Sequence, residues 1–158
     1  MVIKSKVAEP QKLHPTRNVK GMFKCGKACT ACPFIMEGKH VKIDNKSNWN
    51  FNKKFSCLNN NIIYLIYCEK ERCKENIYIG ETGKSLERRL ANHRGYVVNN
   101  ITDRATGAHF NLPGHSLANL KITILEQVKT ADISYRKERE HYFINKFDSY
   151  HRGMNQQS

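Results

Sequence analysis

Two short runs rich in β-branched and aromatic residues, Asn61 to Cys68 (NIIYLIYC) and Asn76 to Gly80 (NIYIG), constrain the fold of this chain more than any other feature. Such residues fit a pleated, half-buried surface, and the runs predict two neighbouring antiparallel strands. After Thr82 and Gly83, Ser85 can cap a helix through LERRLANHRGYV, with Leu86 and Leu90 marking its core face. Asp103 to Ser116, which holds Gly107, Pro113 and Gly114, reads as a loop. From Lys121, KITILEQV alternates as a third strand, and Asp132 can cap a long helix through Phe147. The order strand, strand, helix, loop, strand, helix implies a small α+β domain, its helices flanking a mainly antiparallel three-stranded sheet.

Upstream of Asn61 the character changes. Met1 to about Lys20 reads as a flexible basic arm, and residues 21–60 as a cysteine-bearing segment, leaving 61–158 for the main domain. Lys and Arg number 27 against 14 Asp and Glu, a net charge of +13 that attracts polyanions, so nucleic acid is the first partner to consider. No membrane span is expected, because Ile62 to Cys68, the longest apolar run, is far short of the roughly 20 residues required. The first residues, MVIKSKVAEPQK, lack the apolar stretch of a secretory signal, so the six cysteines are expected in a reducing, intracellular compartment. Thiolate ligands are then favoured over disulfides.

At about 100° per residue, Ile133, Phe143, Ile144 and Phe147 form one stripe of the last helix, with Glu140 in its middle. A buried, unpaired carboxylate costs several kcal/mol, so Glu140 requires a cation, a hydrogen-bond network or a proton. A hard divalent ion such as Mg²⁺ would serve; pairing with Arg136 is the plainer alternative. Arg89 and His93, four residues apart, share a face of the first helix. With Arg88 and Arg94 they also fit a solvated basic helix that binds phosphate non-specifically, and Tyr64 and Tyr78 alone read as core residues with tethered hydroxyls.

Taken in order, Tyr64, the triplet Tyr78, Ile79, Gly80, then Arg89, His93, Glu140 and Asn155 resemble the pattern of GIY-YIG nucleases over Asn61 to Asn155. The first triplet departs from it, reading Ile62, Ile63, Tyr64 without its glycine. The resemblance implies a metal-dependent DNA endonuclease. Glu140 would hold Mg²⁺ (or Mn²⁺), Arg89 would contact the scissile phosphate, His93 would relay a proton and Asn155 would hold the site together. Tyr64 or Tyr78 would orient or deprotonate the water, with Tyr64 preferred. Lys84, Arg88 and Arg94 would bind DNA.

Thirteen residues separate the two tyrosines, more than is usual in the family, and this longer loop holds Cys68 and Cys73. In this the chain resembles the nucleases of Penelope-like retroelements, whose Cys, Cys, His, His set is matched by Cys68, Cys73, His109 and His115. The likeness implies structural zinc, a nicking endonuclease, a nuclear location and a reverse transcriptase in the same polyprotein. Cys25, Cys29 and Cys32 need one more ligand for a second zinc; Cys57 is the first candidate, with His40 and His14 behind it. The rival class is a non-catalytic zinc-containing DNA- or RNA-binding module that retains the nuclease scaffold, and a structural interaction protein is a more distant third. Oligomeric state is left open.

Overall fold

The computed structural model describes residues 19–43 and 48–156, so nearly all of the expected basic arm, and His14 with it, lies outside the described residues. Its centre is a three-stranded antiparallel sheet in the order β6-β5-β7, formed by β5 (Ile62–Cys68), β6 (Ile77–Thr82) and β7 (Leu120–Gln127). The middle strand is covered on both faces, which explains its nearly continuous apolar sequence: Ile62 to Ile66 are fully enclosed. The position where the family pattern has glycine is therefore filled by Ile62, which is simply a core side chain.

Helix α1 (Leu86–Val98) begins where Ser85 accepts a hydrogen bond from the Arg88 N–H. It buries Leu86, Leu90 and Val97, as its spacing predicts. Two further N–H groups of its first turn, those of Leu86 and Glu87, donate to the carbonyls of Asn59 (3.0 Å) and Cys57 (3.1 Å). The start of α1 is thus satisfied from the cysteine-bearing segment. Helix α3 (Ile133–Phe147) is capped by Asp132 and buries Phe143 and Ile144.

The expected stripe on α3 needs one correction. Ile133 is 59% exposed, because the first turn meets the sheet through Arg136, bonded to Glu81 and Asn61, and the aromatic cluster is completed by Trp49, whose ring meets Phe143 edge-on at 5.5 Å. The expected loop from Asp103 to Ser116 is also corrected: it contains a short helix, α2 (Ala105–His109). Gly107 makes this helix possible, since a Cβ there would collide with the Ile101 carbonyl at the end of α1. A four-residue helix, α4 (Ser149–Arg152), follows α3 through Asp148.

Residues 21–56 form two small pairings, β1 (Gly21–Phe23) with β4 (Lys54–Ser56) and β2 (His40–Lys42) with β3 (Asn48–Asn50). The segment does not stand apart from the main domain. Met22, Ile35, Phe55 and Cys57 join the same apolar core as β5. Ile35 bridges to Ile122 on the outer edge of β7, where Met36 N–H donates to the Ile122 carbonyl at 3.2 Å.

Candidate active site and metal centres

Tyr64 and Gly80 face one another across β5 and β6, and a Cβ at Gly80 would overlap the Tyr64 ring and hydroxyl. The glycine clears a seat for the tyrosine. A β-bulge between Ile63 and Tyr64, on the side paired with β7, re-aims the strand at this point. The Tyr64 hydroxyl accepts from Arg89 Nε at 3.0 Å and donates to His93 Nε2 at 2.7 Å. On its other nitrogen, His93 Nδ1 donates to Thr106 Oγ1 at 2.7 Å. One tautomer satisfies every partner in this chain, the neutral ring protonated at Nδ1. Burial, reinforced by the charges of Arg89 and Arg104, pushes His93 down to about 3, so neutrality persists at physiological pH.

The two tyrosines occupy unlike positions. Tyr64 is fully enclosed; burial, with Tyr78 adding to it and Arg89 opposing, holds its hydroxyl well above the usual phenol range. Tyr78 lies on the same face of the sheet, its ring 5.4 Å from that of His93, but it also lines an open cleft of about 260 Å³. Glu140, Arg104, Tyr150 and Asn155 share that cleft.

Glu140 is half-buried and has no ion-pair partner within 4 Å among the described residues. Burial and the nearby negative charge of Glu81 raise its carboxyl, against Lys137, His141 and Arg89. Pairing with Arg136 is excluded, because that guanidinium is committed to Glu81 (2.6 Å) and to the Asn61 side-chain oxygen (2.8 Å). A cleft carboxylate left without a partner suits a hard cation that keeps most of its ligands as water and substrate oxygens. Asn155 acts on the backbone: its amide accepts from Ile79 N–H at 2.8 Å and donates to the Ile79 carbonyl at 2.9 Å. It thereby fixes the strand between Tyr78 and Gly80.

Both cysteine sets converge, each with its ligand atoms within 4.8 Å of one another. Four sulfurs bound tetrahedrally at ~2.3 Å from zinc lie roughly 3.8 Å apart. Cys32 Sγ stands 3.7 Å from Cys25 Sγ, 3.7 Å from Cys29 Sγ and 3.8 Å from Cys57 Sγ, so the fit is good. The Lys27 N–H pulls the Cys25 thiol down to about 7, toward the thiolate. Cys57 is the fourth member; His40, exposed on β2, does not belong to the group.

In the second set, Cys73 Sγ is 3.4 Å from His109 Nε2, and the rings of His109 and His115 are 4.8 Å apart. His115 Nδ1 donates to the Pro113 carbonyl at 3.1 Å, which leaves Nε2 as the lone-pair nitrogen. That atom is buried with no hydrogen-bond partner among the described residues, as expected of a nitrogen aimed at a metal. Burial, with help from His115, lowers His109 to about 4, favouring the neutral ring that metals bind.

Of the three basic residues expected at DNA, Lys84 and Arg88 are exposed at the start of α1. Arg94 is not comparably placed: its guanidinium lies 5.5 Å over the Phe34 ring, with Nε buried, and serves the contact between α1 and the cysteine-bearing segment. Sequence reasoning missed Thr106, since a threonine in a stretch that reads as loop carries no local mark of its contact with His93.

In comparisons with known proteins, the family model of the GIY-YIG catalytic domain matches residues 60–155. No curated protein and no solved structure matches the chain.

Proposed function

From the premise that this chain belongs to the GIY-YIG catalytic domain family, a family of nucleases, we propose that it is a divalent-metal-dependent DNA endonuclease acting in the cleft between Tyr78 and Glu140. The observation that carries the reading is the unpaired Glu140 carboxylate, open to the same cleft as Tyr78 and close to the bonded group Arg89, Tyr64, His93. Hydrolysis of a phosphodiester needs charge on the equatorial oxygens to be stabilised, a water to be activated and the departing oxygen to be assisted. A Mg²⁺ or Mn²⁺ ion at Glu140 would supply Lewis-acid stabilisation to the phosphate. Arg89, held through its Nε by Tyr64, offers its remaining guanidinium N–H groups to the phosphate oxygens.

Tyr78 is assigned to the water, because its ring lines the cleft. Tyr64, enclosed and bonded on both sides, is assigned to positioning Arg89 and His93, which replaces the preference for Tyr64 drawn from sequence. His93, kept neutral by burial and by the charges of Arg89 and Arg104, is assigned to fixing the Tyr64 hydroxyl that orients Arg89, in place of the proton relay drawn from sequence. Zinc at each Cys/His set would be structural, since four protein ligands leave no open position. The second set also supports the finer reading of a Penelope-like retroelement nuclease, working in the nucleus beside a reverse transcriptase of the same polyprotein; sequencing of the adjacent coding region tests this.

The activity test is nicking of supercoiled plasmid with and without Mg²⁺, by the native chain and by Glu140→Ala. Nicking only with metal, and only by the native chain, is expected, while DNA binding by Glu140→Ala stays near native. A native chain that binds DNA but never cuts it would assign the protein to the non-catalytic zinc-module class.

A further inference from the structure

A second depression, about 410 Å³, shares β6, α3 and α4 with the cleft and is also lined by Ile43 and by the β5–β6 loop. Ile77 of β6 and Phe147 of α3 form its apolar floor, and Lys74, Lys146 and Arg152 stand around it with Asn76. All three cations are exposed, none is in an ion pair among the described residues, and no carboxylate lines the depression. Three cations around one concavity repel each other, so the arrangement is stable in proportion to the anion it receives. An apolar floor with a cationic rim suits a phosphate diester, whose sugar edges are apolar and whose oxygens accept from Lys and Arg.

The position relative to the cleft defines which phosphate. Ile77 precedes Tyr78, Arg152 is three residues before Asn155, and Lys146 follows Glu140 on one helix. Six residues of α-helix advance ~9 Å along the axis, so a strand whose cut phosphate lies at Glu140 passes the pocket a short way from the cut. We propose that Lys74, Lys146 and Arg152 form a docking pocket for a backbone phosphate of the substrate strand close to, but distinct from, the one that is cut. The proposal rests on the nuclease reading above. It also gives the second cysteine set a task in substrate binding: Lys74 adjoins Cys73, so a metal there would hold in place the loop that presents this cation.

The test uses the full chain, a DNA duplex and Ca²⁺ in place of Mg²⁺, comparing the native protein with Lys74→Gln/Lys146→Gln/Arg152→Gln. A second variant, Lys24→Gln/Lys27→Gln/Lys129→Gln, removes the same charge from exposed positions outside the pocket. Each phosphate contact contributes ~0.9 to the slope of log affinity against log salt, so the pocket variant, which gives up one phosphate, should lose about 0.9 from it. Ethylation interference should show a phosphate close to the cut, other than the scissile one, whose modification weakens native binding and leaves the pocket variant unaffected. With Mg²⁺ restored, kcat/KM should fall for the pocket variant and hold near native for the second variant, and the melting temperature and metal content of the pocket variant should not change.

An equal fall in slope for both variants, or an unaltered interference pattern, would overturn the pocket while the native chain still cuts DNA. A native chain that neither binds nor cuts DNA would overturn the nuclease reading and the pocket together.

Discussion

The cysteine centres and the catalytic cleft use polar side chains in opposite ways. Around Cys32 and around His115 every ligand atom points inward at its fellows, and the backbone supplies outer support, Lys27 N–H to Cys25 and Pro113 carbonyl to His115. At the cleft, Glu140 faces open space with no ion-pair partner among the described residues, Asp103 lines the same cleft, and Arg136 is committed to Glu81. Saturation stabilises; incompleteness leaves room for water and substrate. The two kinds of site should therefore fail differently when mutated, one through stability and the other through rate.

Arg89→Ala should break the contrast most visibly. Turnover should fall by ~10³ to 10⁵, as for other arginines that stabilise charge in phosphoryl transfer. Zinc content should stay at two per chain. A loss below tenfold in single-turnover assays would transfer the phosphate contact to Arg88, the exposed neighbour.

Cys32→Ser should do the reverse. Its sulfur lies at the centre of its set, and structural zinc binding contributes ~10 to 16 kcal/mol to folding in isolated fingers, comparable to the whole stability of a domain. Elemental analysis should find one zinc instead of two, and the melting temperature should drop by more than about 10 °C. Unchanged zinc content and melting would return Cys25, Cys29, Cys32 and Cys57 to ordinary thiols.

The smallest effect concerns His93. Its folded value of about 3 lies below the ordinary 6.5, so the unfolded chain takes up the proton first as pH falls. The stability that the neutral ring contributes is complete above pH 6.5 and is lost progressively between 6.5 and about 3. Urea midpoints measured across that window should fall less steeply for His93→Gln than for the native chain. Parallel curves would place the acid sensitivity in other groups.

What could be read from sequence was what repeats locally. The strands β5 and β6, the caps Ser85 and Asp132, and the shared face of Arg89 and His93 follow from spacing over a few residues. Glu140 was legible because a carboxylate among Phe143, Ile144 and Phe147 breaks a periodic pattern. Contacts between distant residues were not legible. Nothing near Asn155 announces its pairing with Ile79, nothing near Thr106 its bond to His93, and the enclosure of Tyr64 depends on α1 packing over the sheet. Ile133 was misplaced for a related reason: periodicity gives a face, while only packing shows where along the helix the covering ends.

The carbonyls of Asn59 and Cys57 that receive the first N–H groups of α1, together with Ile35 and Met36 on the rim of β7, bear on whether the nuclease can be cut out as an autonomous piece. A chain started at residue 60, where the family match begins, would lose both carbonyls and uncover β7. Its catalytic helix would fray from the end nearest Arg89, and the bared strand would offer its backbone to the next molecule. Self-association through that edge is the expected fate of such a fragment, so the boundary of homology in this protein falls inside its unit of solubility.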